Sequence, residues 1–287
     1  MTQHCPVLLN EVLELLHPVG GGVYFDGTFG GGGYSEAILD SSDCCVIACD
    51  RDATVTPVAD KFQRKYGDRF CFHHSKFSDI KLLLEKHSGT KLDGIVLDLG
   101  VSSFQLSDPA RGFSFKLSGP VDMTMGLNNE TAMDAIHRYS EKRLADIIFQ
   151  FGEERFSRRI AKNIKAHLNQ IKNTEDLANI VRNCVGKKWK IDPATKTFQA
   201  LRIFVNDELG ELEKVLKDSL NLLNPMGKII IVSFHSLEDR IVKLFFKRLC
   251  AEKRGLLLYK KPTIPSPEEL LSNPRSRSAK LRGICVL

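Results

Sequence analysis

The segment YFDGTFGGGGYS at residues 24–35 decides the fold that this chain is expected to adopt. A short apolar run ends at Asp26, five glycines follow within seven residues, and a segment typical of a helix begins at Ser35. This order predicts a strand, a tight turn and a helix, because glycines permit a positive φ and leave the backbone open to a ligand. Amide groups at the helix N-terminus can bind an oxygen-rich ligand. The alternative is a flexible glycine loop that binds nothing.

Two further predicted strands also end in an acid. The apolar run at residues 45–49 stops at Asp50, and the run at residues 92–97 stops at Asp98. Asp50 lies where nucleotide-binding α/β folds place the carboxylate that binds ribose hydroxyls, although an acid at an exposed strand end gives the same pattern. Ligands in open parallel sheets collect at the carboxyl ends of the strands. We therefore expect both acids to line a site together with the glycine loop.

The alternation of strands and helices stops after Asp98. Residues 101–125 look like a loop, and residues 131–186 contain only predicted helices, with Ser140 and Thr174 as N-caps and Gly152 and Gly186 as stops. One long helix at residues 197–223 then leads to a strand at residues 228–234. The prediction is an α/β fold with a doubly wound, mostly parallel sheet, formed by residues 1–105 and 197–287, and an inserted helical domain at residues 106–196.

Composition excludes several classes of protein. The 287 residues are 43% hydrophobic and 26% charged, which is typical of a soluble protein of about two domains. No apolar run reaches the roughly 18–20 residues of a membrane span, so we expect a cytoplasmic protein without a membrane partner. The eight cysteines include no C-x-x-C pair, so they are expected to be reduced core residues, and no metal site is predicted.

Positive charge is concentrated in the inserted segment. Residues 153–190 contain ten lysines and arginines but four acids, an excess equal to the net charge of +6 of the whole chain. Such a basic segment, with Trp189 as a stacking surface, indicates binding to a nucleic-acid backbone. A solvated helix face is the alternative. Residues 272–282 add four cations and no acid, which suggests a second basic loop.

The three strand ends fit either a nicotinamide enzyme or a methyltransferase that uses S-adenosylmethionine (SAM). The third glycine of the dinucleotide fingerprint is missing, because Gly30 and Gly32 are followed by Ser35, and the chain has no G-K-[ST] loop for a nucleoside triphosphate. These details favour SAM. A dehydrogenase leaves the basic insertion unexplained, and an RNA-binding protein without catalytic activity has no use for three strand-end sites.

Seven sequence blocks, which run in order from His4 to Arg282, resemble the bacterial RsmH (MraW) family. They are HCPVLLNEVLELL, DGTFGGGGYS, DGIVLDLGVSSFQL, RGFSF with SGPVDM, TFQALRIFVNDEL, SFHSLEDR and NPRSRSAKLR. The resemblance implies a Rossmann-like SAM-dependent methyltransferase. It also implies that the enzyme methylates N4 of a cytidine in the decoding region of 16S ribosomal RNA, within the small ribosomal subunit. The oligomeric state is not fixed by the sequence, and a homodimer stays open.

The resemblance also implies a set of residues that bind SAM. Besides Gly30 of the predicted turn, the set comprises Gly32, Gly33, Tyr34, Asp50, Phe77, Asp98 and Gln105. Asp50 is expected on the ribose hydroxyls and Phe77 against the adenine. The family usually has histidine where this chain has Tyr34, so we expect the contact at that position to come mainly from the backbone.

Cytosine N4 is a poor nucleophile, because its lone pair is conjugated with the ring, so the site must supply hydrogen-bond acceptors and a destination for a proton. Asp98, Ser102 in the following turn, and His235 after a later strand are the predicted catalytic residues. His235 could equally be a polar residue that begins a helix. Methylation of carbon 5 would require a cysteine nucleophile, and none of the eight cysteines follows a proline, the setting associated with that chemistry. The predicted RNA-binding residues are Arg111, Arg155, Arg158, Arg159, Lys162, Arg275 and Arg277.

Overall fold

The computed structural model describes residues 6–185 and 191–287, which form two compact units. The first unit contains the described residues of Met1–Gly100 together with Leu209–Leu287, and the second is Val101–Glu208. The second unit therefore begins at Val101 rather than at residue 106 and ends at Glu208 rather than at residue 196. The predicted stop at Gly186, and Trp189 with Lys187, Lys188 and Lys190, lie outside the described residues.

The first unit contains a seven-stranded sheet. Its strands are β1 (Val23–Asp26), β2 (Cys45–Asp50), β3 (Phe70–His74), β4 (Leu92–Asp98), β5 (Leu223–Ser233), β6 (Gly255–Leu257) and β7 (Lys280–Val286). The order in the sheet is β3-β2-β1-β4-β5-β7-β6, in which the first five strands are parallel and β7 is antiparallel to both neighbours. The predicted α/β fold with a mostly parallel sheet is confirmed.

Helices complete both units. They are α1 (Leu9–Leu16), α2 (Gly33–Ser41), α3 (Thr56–Tyr66), α4 (Ile80–Lys86), α5 (Ser103–Ser107), α6 (Ala132–Arg138), α7 (Glu141–Gly152), α8 (Ser157–Ala166), α9 (Thr174–Val185), α10 (Ala194–Asn206), α11 (Glu208–Ser219), α12 (Ser236–Ala251) and α13 (Pro267–Ser272). Within the described residues, no helix is long and apolar enough to span a membrane.

Helices cover both faces of the sheet. Successive side chains of a strand point to opposite faces and are therefore buried on either side. Val46 and Ala48 of β2 belong to one hydrophobic cluster, with residues of α1, α2 and α3. Ile47 and Cys49 belong to the opposite cluster, with residues of α4, α11 and α12. Strand β2 therefore appears in the sequence as a continuous apolar run that ends at Asp50, where the polar edge of the sheet begins.

The second unit has its own core, formed in part by α7, α8, α9 and α10. Phe198, Leu201 and Val205 of α10 are buried in this core. Helix α10 thus packs with the inserted helices, and this packing explains why the unit extends beyond residue 196. The loop predicted at residues 101–125 also contains a short helix, α5.

The prediction of a single helix at residues 197–223 is wrong. Helix α10 ends at Asn206, Asp207 adopts a left-handed conformation with φ of 49°, and α11 then begins. Aspartate tolerates this conformation better than most residues, so the break needs neither glycine nor proline. Arg202 and Glu208 bridge the break, with Nε 2.8 Å from Oε1.

Two predicted N-caps have different outcomes. Ser140 Oγ accepts a hydrogen bond from the amide of Arg143, which confirms it as the cap of α7. Thr174 is not the cap of α9, because its hydroxyl donates to the carbonyl of Leu117. Asn173 Oδ1 instead accepts the amide of Asp176 at 3.0 Å. The seven described cysteines are free, and four of them are buried.

Buried Asn206 is expected to stabilise the second unit through its hydrogen bonds to the backbone of Met123 and Met125. Its Oδ1 accepts the amide of Met125 and its Nδ2 donates to the carbonyl of Met123, both at 2.8 Å. Asn206→Ala leaves both groups unpaired and should lower the free energy of unfolding by about 3 kcal/mol, since each orphaned group costs about 1–3 kcal/mol. Urea unfolding measures this, with exposed Asn169→Ala as the control. Equal stability of the two variants would contradict the assignment.

Candidate functional site

Three carboxylates mark the polar edge of the sheet. Asp26, Asp50 and Asp98 are the last residues of β1, β2 and β4, which are adjacent, with β1 in the middle. The strands are parallel, so their carboxyl ends meet at one edge, where ligands of such sheets bind. Asp26 was not among the predicted site residues. The signal that identified Asp50 and Asp98, an acid that closes an apolar strand, was also present at Asp26.

Asp26 is completely buried and holds the start of α2. Its Oδ2 accepts a hydrogen bond from Ser35 Oγ at 2.7 Å, and its Oδ1 accepts the amide of Thr28 at 3.2 Å. Burial raises the pKa of Asp26 to about 6, although these hydrogen bonds oppose the shift, and the nearby charge of Asp50 adds to it. The ionised form of Asp26 is therefore less favourable in the folded protein than in the unfolded chain.

Asp50 shapes the glycine loop. Its Oδ2 accepts the amide of Gly30 at 2.8 Å and its Oδ1 accepts the amide of Asp52 at 2.9 Å. Burial raises the pKa of Asp50, and the hydrogen bonds from Asp52 and Gly30 lower it. Each oxygen still has acceptor capacity for a ligand hydroxyl, because a carboxylate oxygen has two lone pairs.

Asp98 has an unsatisfied carboxylate oxygen. Its backbone amide donates to Thr28 Oγ1 at 2.7 Å, but its Oδ1 is buried and has no hydrogen-bond partner in the described part of the chain. Burial raises the pKa of Asp98 well above its ordinary value, and the charges of Asp26 and Glu238 raise it further. A buried acceptor without a donor is costly, so this atom is suited to a ligand that donates a hydrogen bond.

No described lysine or arginine forms an ion pair with any of these three acids. Burial is the largest cause of the raised pKa of each acid, and the charge of Arg51 opposes it at Asp50. Repulsion between neighbouring acids adds to the rise, because the charge of Asp50 raises the pKa of Asp26 and the charge of Asp26 raises that of Asp98. A ligand that carries positive charge would relieve this repulsion.

The glycines of the loop have two different purposes. A Cβ at Gly32 would collide with the ring of Phe62, and a Cβ at Gly33 would collide with Pro6, so packing within the protein already requires both glycines. Gly30 is different, because the nearest atom to a Cβ there would be a carbonyl oxygen 3.8 Å away. Its φ of +50° and the open space above it leave the backbone accessible to a ligand.

Tyr34 and Phe77 have different surroundings. The Tyr34 side chain is buried, and its hydroxyl donates to the carbonyl of Val7, so the phenol joins α2 to the start of α1. Phe77 is half-buried in a short 3₁₀ turn after β3, where it packs against the core beside Gly27. A Cβ at Gly27 would lie 2.5 Å from Cδ2 of Leu97 and 2.8 Å from the Cβ of Phe77, so only glycine fits between these side chains.

Ser102 and Gln105 belong to the second unit, where they cap α5. Ser102 Oγ accepts the amide of Gln105 at 3.2 Å, and Gln105 Oε1 accepts the amide of Ser102 at 3.0 Å. This reciprocal arrangement is a capping box. Both side chains thus have a structural use at the start of a short helix.

His235 caps α12. Its Nδ1 accepts the amide of Glu238 at 3.4 Å, while Glu238 Oε2 accepts the amide of His235 at 3.3 Å. His235 Nε2 lies 3.1 Å from Glu238 Oε1 but is not aligned for a hydrogen bond. Because Nδ1 acts as an acceptor, neutral His235 carries its proton on Nε2 and has no free lone pair with which to act as a base. The geometry therefore favours the capping role.

Helix α8 carries three exposed cations of the basic segment. Its buried side is Ser157, Ile160, Ala161 and Ile164. Arg158, Arg159 and Lys162 occupy the exposed side, and the guanidinium of Arg159 lies 5.0 Å from the centre of the Phe156 ring. The guanidinium of Arg155, just before the helix, lies 4.7 Å from the same ring centre. These four residues form one basic surface, which we call the α8 surface.

Other cations of the basic segments are used inside the fold. Arg182 binds Asp192 through two nitrogens, at 3.0 and 2.8 Å from Oδ2. Lys165 donates to the carbonyl of Ile136, and burial lowers the pKa of its ammonium. Arg111, a predicted RNA-binding residue, is half-buried and donates to the carbonyl of Thr124 at 3.0 Å, so it braces its own loop.

The C-terminal basic loop is divided in the same way. Lys280 and Arg282 both pair with Asp239, at 3.1 and 2.6 Å. Arg275 and Arg277 are exposed on either side of buried Ser276. Arg275 and Arg277 are therefore the members of this loop that remain directed to solvent.

Comparison with known proteins gives matches over nearly the whole chain. A model of the MraW methylase family matches residues 1–286. Ribosomal RNA small subunit methyltransferase H of Wolbachia sp. subsp. Drosophila simulans is 53% identical over 290 residues, which cover 98% of each chain. The protein of the same name from Ehrlichia chaffeensis is 50% identical over 293 residues, which cover 98% of this chain and 99% of that one.

The raised pKa of Asp26 predicts a pH-dependent effect on stability. Its folded-state pKa of about 6 exceeds the ordinary 3.8, so the folded protein holds this proton more tightly than the unfolded chain, and the stability gained is lost as pH rises through about 6. Asp26→Asn removes this loss. The unfolding free energy of the variant minus that of the parent should rise by about 3 kcal/mol between about pH 4 and pH 7, at about 1.4 kcal/mol per pKa unit.

Urea titrations at several pH values measure this difference. Exposed Asp60→Asn, on α3, is the matched control for the loss of one carboxylate. A flat profile for Asp26→Asn would show that the carboxylate of Asp26 is not destabilised by its surroundings.

Proposed function

Because this chain belongs to the MraW methylase family, we propose that it transfers a methyl group from SAM to N4 of a cytidine in the decoding region of 16S ribosomal RNA. The proposal rests on the edge of the sheet at which Asp26, Asp50 and Asp98 meet, which we call the carboxylate edge. The decisive observation there is the buried Oδ1 of Asp98, which has no hydrogen-bond partner in the described residues. We propose the small ribosomal subunit as the setting of the reaction, on the basis of the family resemblance and the names of the relatives.

The charge of the carboxylate edge suits SAM. When bound, SAM supplies an activated methyl group on a sulfonium, and the cofactor also carries an ammonium group. Both positive groups would relieve the repulsion among Asp26, Asp50 and Asp98. A dinucleotide would instead bring a negatively charged pyrophosphate to the same edge. The carboxylates therefore favour SAM over NAD.

We propose that SAM is held mainly by three elements of the first unit. Asp50 accepts hydrogen bonds from the ribose hydroxyls, and the exposed side of Phe77 packs on the adenine. The open backbone at Gly30 lets the ligand lie against the loop, with contributions from the backbone of Gly32, Gly33 and Tyr34. The side chain of Tyr34 is engaged with Val7, which supports a backbone contact at this position. Gln105 is proposed from the family resemblance.

Asp98 is the proposed proton acceptor. Cytosine N4 must lose conjugation with the ring and a proton, and a carboxylate that accepts its N–H favours both changes. The raised pKa of Asp98 makes its carboxylate a better base than an ordinary aspartate. His235 is less suited, because its Nδ1 already accepts the Glu238 amide. Ser102 would serve through its place at the start of α5 rather than as a base.

Methylation at carbon 5 is disfavoured by the state of Cys49, which adjoins Asp50 in the chain. Cys49 precedes Asp50 in β2, is buried, and has its Sγ 3.6 Å from the carbonyl oxygen of Gly27. Burial raises the pKa of this thiol well above its ordinary value, and the charges of Asp50 and Asp26 raise it further. The nucleophile in carbon-5 chemistry must be a thiolate, which Cys49 cannot readily form.

The α8 surface and the pair Arg275 and Arg277 are the proposed RNA contacts. Within the described residues, Arg158 and Lys162 form no ion pair with an acid, so their charges are available to phosphates. Arg111 is proposed only as a support for its loop, because its guanidinium is bound to Thr124.

Nucleoside mass spectrometry tests the reaction. Small subunits from a strain that lacks the gene are incubated with the protein and SAM, and the 16S RNA is digested to nucleosides. We expect N4-methylcytidine to increase with the wild-type protein and to be absent with Asp98→Asn. The appearance of 5-methylcytidine, or of a methylated base other than cytosine, would contradict the proposal.

Asp50→Ala should weaken SAM binding about ten- to hundredfold, because the loss of hydrogen bonds to a charged acceptor costs about 1.5–3 kcal/mol. Isothermal titration measures the affinity, and RNA binding should remain at the parental level. Exposed Asp60→Ala is the control for the loss of one negative charge. If Asp50→Ala binds SAM as tightly as the control, Asp50 does not hold the ribose.

Arg158→Ala/Arg159→Ala should reduce the salt dependence of RNA binding. Each lost phosphate contact lowers the slope of log affinity against log salt by about 0.7–0.9, so two contacts predict a fall of about 1.4–1.8. SAM affinity should be unchanged. Binding of small-subunit RNA is measured across a salt series and compared with Arg275→Ala/Arg277→Ala.

The matched control is Lys61→Ala/Arg64→Ala, which removes two exposed cations from α3 in the first unit. Its slope should match that of the parent. If the α8 variant and this control have the same slope, the α8 surface is a solvated helix face and the RNA contact lies elsewhere.

A further inference from the structure

Cys71, His73 and His87 form a cluster that shares no residue with the proposed SAM-binding set. Cys71 and His73 lie two residues apart on β3, so they project from the same face of the strand, and His87 is the C-cap of α4. Cys71 Sγ is 3.6 Å from His73 Nε2, which is 2.8 Å from His87 Nε2. All three side chains are partly buried, and one ligand atom from each lies within 4.8 Å of the others.

We propose that these three residues bind a zinc-type divalent ion, with water in the fourth position. One thiolate and two imidazoles are a donor set that zinc accepts, whereas magnesium and calcium prefer oxygen ligands. Their partial exposure leaves room for a water ligand. The cysteine spacing of the sequence does not indicate this group, because Cys71 and His73 are spaced C-x-H along β3 and His87 follows α4.

The distance between Cys71 and His73 is that of a tetrahedral zinc site, and the distance between His73 and His87 is shorter. With Zn–S of about 2.3 Å and Zn–N of about 2.05 Å, tetrahedral angles place sulfur about 3.6 Å from nitrogen and the two nitrogens about 3.3 Å apart. The Cys71 to His73 distance matches this value. The two imidazole nitrogens are at 2.8 Å and must separate by about 0.5 Å, a shift that the rotation of two partly exposed rings can provide.

Without an ion, the short distance between His73 and His87 is a hydrogen bond from one imidazole to the other. Ion binding replaces it, and both rings then carry their proton on Nδ1 and present a lone pair on Nε2. The Cys71 thiol releases its proton to solvent as it becomes a thiolate. Lys86 is the neighbouring cation that acts on His73, and its charge opposes ion binding. The thiolate offsets part of that repulsion.

The ion would join an edge strand to the end of a helix. β3 is the outermost strand on its side of the sheet, and the segment between His73 and His87 contains Phe77 and all of α4. Because one ion would bind both His73 and His87, it would fix the two ends of this segment relative to each other. Bound ion is therefore expected to raise the melting temperature of the protein, since a ligand that binds only the folded state stabilises it.

Cobalt(II) titration of the full-length protein, after removal of metals with a chelator, tests the site. Thiolate–cobalt coordination gives a charge-transfer absorption band, and we expect it to saturate at one equivalent and to vanish when zinc is added. Cys71→Ser and His87→Gln should each lose the band or weaken cobalt binding at least tenfold. His74→Gln is the matched control, because His74 adjoins His73 but is exposed and contacts the carbonyl of Arg51.

A second measurement follows the melting temperature with one equivalent of zinc. It should rise for the parent and for His74→Gln, but not for His87→Gln. The absence of a thiolate band in the parent, or a band that persists unchanged in Cys71→Ser, would overturn the proposal. If Cys71→Ser fails to fold, His87→Gln decides, because it changes a different element and leaves the thiol in place.

Discussion

The parallel pairing of β1 with β2 on one side and β4 on the other is the constraint on which the candidate site depends. In register, Asp26 lies beside Ala48 and Val96. Strands β2 and β4 each continue for two residues beyond this level and end in Asp50 and Asp98, respectively. Residues far apart in the chain therefore meet at one edge because three strands run in the same direction. The apolar residues that precede them are buried on both faces, so the carboxylates occur where the core ends.

The acids of the carboxylate edge form hydrogen bonds with the glycine loop and with the start of α2. Ser35 and Thr28 donate to Asp26, Gly30 donates to Asp50, and Thr28 accepts the amide of Asp98. These bonds offset part of the cost of burial, yet the pKa values of all three acids remain raised. The protein thus spends stability on a preformed site, which is typical of sites built to receive a ligand of complementary charge.

The basic residues fall into two groups, those that face solvent and those that support the fold. A count of charges along the insertion cannot separate cations that face solvent from those that support the fold. Arg182 pairs with Asp192, and Lys165 donates to a backbone carbonyl. Among the described residues of the two basic segments, removal of these internal cations from the count leaves exposed ones mainly on α8 and beside Ser276.

The sequence by itself determined the strand, turn and helix around Asp26, the mostly parallel sheet and the family of the protein. Each of these features depends on local residue order, such as an apolar run that ends in an acid followed by glycines. Only the tertiary structure decided that Tyr34 binds Val7, that His235 caps α12 and that Arg111 braces its loop. It also decided that α10 ends at Asn206, without a glycine or proline to mark the break. These outcomes depend on hydrogen-bond partners distant in sequence or on the competing uses of one side chain, and local order does not specify either.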